Sequence, residues 1–181
     1  ADKLICVVRP EHINDLALDA VINEYDSDAL LVPDSETKGQ AVACHRGLAE
    51  ANVADDTSVF ISACDNGFLF DQEKYEALKA RPDVDCIIWS FTQDPLLIEK
   101  PEAWGWIKLA EDGETVEDLS VKVPISDNPF NDHAVVGSFW FRRAGDFRAA
   151  YHAMCDAEHR INNEYYVDAM PIFLSQLGLK T

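Results

Sequence analysis

Asp65 is the residue with the most chemical promise, because it follows the apolar run 58–63 (SVFISA) and sits in the turn Cys64-Asp65-Asn66-Gly67. In open α/β sheets ligands collect at the carboxyl ends of strands. A single carboxylate there can hold Mg2+ against two phosphate oxygens, since that ion keeps several waters and needs only one or two protein oxygens. The same residues also make an ordinary Asp-Asn-Gly turn without a ligand. Upstream, the loop Ser35-Glu36-Thr37-Lys38-Gly39-Gln40 precedes a helical stretch. Its glycine permits close backbone approach, and free N–H groups at a helix start favour an anion. Alone this is a weak signal, and a plain helix start is the commoner explanation of the same residues.

Other chemistries find little support. His12, His45, His133, His152 and His159 lack metal-ligand spacing, and no Ser-His-Asp or nucleophile-elbow pattern occurs. The five cysteines are odd in number and include no C-x-x-C pair, so reduced thiols are expected. Cys6, Cys64 and Cys86 lie in or beside apolar strand-like runs and read as core packing. A net charge of -18 repels phosphate backbones and anionic membranes, which argues against nucleic-acid binding. A polyanionic small substrate then needs a local positive device. No apolar run approaches the roughly 18 residues of a membrane span, and residues 1–10 read as a strand, not a secretory signal. The expected location is the cytoplasm.

The elements that must position these residues alternate in the manner of βαβ units. Strands are expected at 4–8, 29–32, 58–63 (fully buried) and 86–91, with helices at 11–24, 39–51 and 72–80 between them. After residue 100 the texture changes. The runs 104–109 and 116–123 read as a hairpin joined at Asp112-Gly113, 135–142 as a strand, and 145–159 and 168–177 as helices, the last closed by Gly178. Trp104, Trp106 and Trp140 read as core or rim aromatics. The expected fold is one α/β domain over 1–181: three layers around a mostly parallel, Rossmann-like sheet with an antiparallel edge.

The strings T-K-G-Q-A, F-I-S-A-C-D-N-G, W-G-W-I, S-V-K-V-P-I-S, V-V-G-S-F-W-F and N-N-E-Y-Y-V-D, in that order, cover nearly the whole chain. Together they resemble the sugar-phosphate nucleotidyltransferases of the GT-A-like, nucleotide-diphospho-sugar transferase fold, the type associated with capsular and surface polysaccharide synthesis. The resemblance implies that Thr37, Gly39 and Gln40 lie near the nucleotide base, with Asn66 a further substrate contact. It implies that Asp65 binds a catalytic Mg2+ and that Gly105 approaches the sugar through its backbone. Lys122 would meet the sugar phosphate as a catalytic residue beside Asp65, Gly137 would open the strand beside the sugar, Glu164 would contact the sugar, and Asp168 would be a second metal ligand. The implied substrates are a nucleoside triphosphate and a sugar phosphate; a homo-oligomer stays open. Three bland alternatives remain: Lys122 as the solvent face of an edge strand, Asp168 as a helix cap before Pro171, and Glu164 as a surface acid.

The sequence departs from that family in one respect. Its eight glycines include no G-x-G, whereas such enzymes begin with a central strand and a G-x-G-x-R-type loop with a downstream lysine that wrap the triphosphate. The 181 residues taken alone are therefore expected to be catalytically silent or nearly so, with nucleotide-sugar binding without catalysis and GT-A glycosyl transfer as the rival readings.

Overall fold

The structure, a computed structural model, describes residues 3–35, 38–65 and 67–181. Thr37 and Asn66 lie outside the described residues. The chain opens with β1 (Ile5–Val8), α1 (Pro10–Leu16), α2 (Leu18–Tyr25) and β2 (Leu30–Pro33), and β1 and β2 pair in parallel. The single helix expected over 11–24 is two. Ala17 takes the left-handed conformation at φ 50° and breaks it, and neither piece buries a residue. With no apolar face held against a core, nothing keeps these residues in one straight helix.

Next come α3 (Gln40–Glu50), β3 (Val59–Ser62), α4 (Gln72–Ala80), β4 (Cys86–Phe91) and the single turn α5 (Leu96–Glu99). The hairpin β5 (Gly105–Leu109) and β6 (Val116–Val121) follows, then the long β7 (His133–Phe141), α6 (Ala144–Asp156) and α7 (Met170–Gln176). Asp71 caps α4 by accepting from the Lys74 N–H at 3.0 Å. Gly178 ends α7 at φ 77°, while the Leu179 N–H returns to the Leu174 carbonyl at 2.9 Å.

The sheet order corrects the expectation of a mostly parallel sheet. β1–β2 is a separate two-stranded parallel sheet, and the other five strands form a second sheet in which every direct pairing is antiparallel. β7 is the reason. β3 and β4 run in the same direction, as a βαβ unit requires, but β7 runs antiparallel to both and pairs with each, Phe141 facing Val59 and Cys86. At its other end β7 pairs with β5, Ala134 facing Trp106. Among the described residues no strand joins β1 to β3. β3 is also not fully buried: Ile61 points inward while Phe60 and Ser62 are exposed.

The main core lies between the second sheet and α3, α6 and α7, with Phe139, Phe141, Phe147, Met154, Met170 and Leu174 sealed from solvent. Trp106 and Trp140 are buried as expected. All five cysteines are free; Cys86 is buried, but Cys64 is exposed on the turn after β3, so core packing does not describe it.

Candidate functional site

Gly39 opens α3 with φ 110° and ψ 165°, a conformation that favours glycine. A Cβ there would overlap the backbone N and O of Tyr165. The two segments are in fact bonded: the Tyr165 N–H donates to the Lys38 carbonyl at 2.8 Å, and the Ala41 N–H donates to the Tyr165 carbonyl at 3.1 Å. Gly39 and Gln40 thus lie against the stretch that carries Glu164 and Asp168.

That stretch is shaped by a tight turn. Ile161 and Glu164 exchange backbone bonds of 2.9 and 3.0 Å around Asn162 and Asn163, both at positive φ (51° and 67°), a conformation asparagine tolerates better than most residues. Glu164 is half-buried and shares its carboxylate with the Tyr166 hydroxyl; burial and this carboxylate raise the Tyr166 pKa.

Asp168 lies in the short 3-10 helix Val167–Ala169. Neither that helix nor α7 has a side-chain cap, so Asp168 is not an N-cap, although Pro171 does fall in the first turn of α7. Its carboxylate instead rests on Gly105: a Cβ there would lie 2.5 Å from Asp168 Oδ2. Lys122, at φ 68°, follows β6; its N–H donates to the Trp104 carbonyl at 2.9 Å and its ammonium to the Ala103 carbonyl at 3.0 Å. The ammonium also lies 5.4 Å from the centre of the Tyr166 ring. Burial pushes the Asp168 pKa up to about 6, and the Lys122 charge pulls against that rise. Lys122 is half-buried beside a carboxylate, unlike a lysine on the open face of an edge strand.

Asp65 is exposed two residues beyond Ala63, whose N–H donates to the Gly137 carbonyl at 2.9 Å. Gly137 sits at φ 89°, between the β7 residues that pair with β3 and those that pair with β5. The defined contacts therefore give two groupings: Gly39, Gln40, Glu164, Asp168, Gly105 and Lys122 in one, Asp65 and Gly137 in the other.

Sequence reasoning passed over Asp34, Tyr165 and Tyr166. Asp34 follows β2, is 3% exposed, and accepts from Arg46 of α3 at 2.7 Å. Like Asp65, it is a carboxylate just beyond the end of a strand. Tyr165 acts through its backbone, for which side-chain chemistry gives no signal. For Mg2+ the protein donors are few: among the described residues no three His, Cys, Asp or Glu side chains gather in a way that could hold a metal ion. The exposed Asp65 fits an ion completed by phosphate and water oxygens. Asp168 fits less well, since it already faces an ammonium.

No family profile matches the chain, and no curated protein matches it. Solved structures do. A nucleoside-diphosphate-sugar pyrophosphorylase from Vibrio cholerae superposes with a TM-score of 0.74 at 20% identity, over 99% of this chain and 71% of that one. A UDP-glucose pyrophosphorylase bound to UDP-glucose gives 0.61 at 17% identity, over 99% and 71%. A protein described as a mannose-1-phosphate geranyltransferase from Thermus thermophilus gives 0.54 at 17% identity, over 85% and 48%. The chain has the mixed α/β fold of the nucleotide-diphospho-sugar pyrophosphorylases.

Proposed function

We propose that this chain is a nucleotidyltransferase domain that joins a sugar phosphate to a nucleoside triphosphate. An oxygen of the sugar phosphate attacks the α-phosphorus, the bond to the β,γ-phosphates breaks, and pyrophosphate leaves. The observation that carries the reading is the packing of the Asp168 carboxylate on Gly105, close to the Gly39–Tyr165 junction in the chain and within the electrostatic reach of Lys122, whose ammonium is held by the Ala103 carbonyl. It gives a chain of charge -18 a partly shielded cation where an anionic substrate needs one. Gly105 and Gly39 let the Asp168 carboxylate and the Tyr165 backbone pack close, and Gln40 and Glu164 are proposed to offer polar contacts. Thr37 and Asn66 complete the proposed substrate contacts. Mg2+, if held by Asp65 and completed by phosphate and water oxygens, would neutralise phosphate charge; Asp168 lies in the other grouping and is not proposed as its second ligand. The chemistry requires position and charge compensation, not a protein nucleophile.

The fold likeness and the ordered motifs support this reading. A role in surface polysaccharide synthesis is proposed on the same resemblance, and a cytoplasmic location and a single domain on the length and composition of the chain; among the described residues no helix is long and apolar enough to cross a membrane. The lack of any G-x-G in these residues favours, as a second reading, nucleotide-sugar binding with little turnover. A pyrophosphate-release assay across the common nucleoside triphosphates and several sugar 1-phosphates tests the first reading. Melting shifts with nucleotide-sugars test the second: binding without release selects it, and neither signal rejects both. Donor hydrolysis or transfer without pyrophosphate would select glycosyl transfer.

A further inference from the structure

The five histidines lack metal-ligand spacing in the chain, yet the fold sets two of them side by side. His45 of α3 and His152 of α6 have ring centres 5.2 Å apart, with their planes at 76°. Tyr151 shows how they meet. Its ring stacks on one face of His45 at 4.3 Å and 16°, and lies 5.4 Å from the His152 ring. Placing His152 on the opposite face of His45 would put it well beyond that distance from Tyr151. His152 therefore stands beside the stack, toward the edge of the His45 imidazole, where the ring nitrogens are. Neither ring is sealed: His45 is half-buried and His152 exposed.

Two imidazoles at this spacing match one metal ion shared between them. With a nitrogen of each aimed at the ion, Zn–N bonds of about 2.0–2.1 Å put each ring centre about 3.2 Å from it, and centres 5.2 Å apart then subtend about 110°, the tetrahedral angle. A square-planar ion, with ligands at about 90°, asks for centres about 4.5 Å apart, closer than these. Arg148, one turn before His152 on α6, donates its guanidinium to the Asp55 carboxylate and, at 2.6 Å, to the Val53 carbonyl, so its charge is paired. The chain's charge of -18 draws cations to the surface. Among the described residues no third His, Cys, Asp or Glu completes a metal-holding group, so water fills the remaining positions.

We infer that His45 and His152 form an open two-histidine site for a divalent transition ion of tetrahedral preference, Zn2+ being the type, which staples α3 to α6. Because α3 also packs on β1 and β2, the ion would brace the parallel pair against the second sheet. The test is a titration of chelator-treated protein with Zn2+ alone, read by histidine ring 15N NMR and by melting temperature. One equivalent should shift the His45 and His152 ring signals together and raise the melting temperature, since the ion binds the folded chain preferentially, while equal Mg2+ does neither. His45→Gln and His152→Gln should each weaken Zn2+ binding at least about tenfold, because a chelate is lost with either ligand. Asp65→Ala and Cys64→Ser should leave the response intact. A shift of one ring alone, undiminished binding in either glutamine variant, or loss of the response in Asp65→Ala or Cys64→Ser overturns the inference. So does binding without a melting shift, which removes the staple, and so does saturation only at millimolar Zn2+, which marks an adventitious ion only.

Discussion

The parallel pair β1–β2 and the five-stranded sheet are built to different standards. The first contributes Val8 and Val32 as its only buried strand residues, and α1 and α2 beside it bury none. The second buries most of β7 and large parts of α6 and α7. Stability thus resides in the antiparallel sheet, and the parallel layer is held to it through α3. Gly47 of α3 packs so closely on β1 that a Cβ would lie 2.8 Å from Val7 Cγ2. The candidate site straddles this divide, with Gly39 just ahead of α3 and Asp168, Gly105 and Lys122 on the dense side.

The largest expected effect tests the contrast directly. Phe147→Ala empties a sealed position whose ring meets Phe141 at 5.1 Å, and should cost about 3–5 kcal/mol in denaturant unfolding. Val7→Ala, in the half-exposed β1, should cost no more than about 1 kcal/mol. Equal losses would break the comparison. Gly39→Ala comes next: its left-handed backbone and the Tyr165 overlap should cost about 1–3 kcal/mol and raise amide exchange at Ala41 and Tyr165 while sparing β7.

A smaller effect concerns pH. Because burial lifts Asp168 from 3.8 to about 6, the folded chain binds more protons than the unfolded one in that interval. Asp168 therefore lowers stability as pH rises through the window, and Asp168→Asn should remove that decline in chemical-denaturation curves. Lys122→Ala should raise the Asp168 pKa further, read by carboxyl NMR titration; a fall would separate the two groups. The smallest effect lies on the α3–α6 contact. His45 stacks on Tyr151 at 4.3 Å, and burial, with His152 and Arg148 nearby, lowers its pKa. The unfolded chain then takes up the proton first as pH falls, so stability should drop slightly below the ordinary histidine value of 6.5, and His45→Gln should flatten the drop.

Most element positions were legible because hydrophobic period and turn residues are local: 72–80 and 86–91 agree with α4 and β4 residue for residue. Insertion of β7 between β3 and β4 was not, since nothing in V-V-G-S-F-W-F states which strands it will separate. The break at Ala17 was hidden too, because alanine carries no local signal for a left-handed turn. Within the site, the motif strings pointed to Gly39, Gly105, Lys122 and Asp168, yet their grouping depends on the Tyr165 backbone, a partner more than a hundred residues from Lys38 in the chain. Asp34 was missed through uneven use of a sound argument.

The paired bonds between Tyr165 and residues 38 and 41 also set the kinematics of the molecule. A single bond would act as a pivot, but two bonds on one residue act as a hasp that transmits displacement. Any displacement of Lys38 and Ala41 must drag the Tyr165 backbone with it or break both bonds at once. Lys38 and Ala41 on one side and the segment of Tyr165 on the other are geared together.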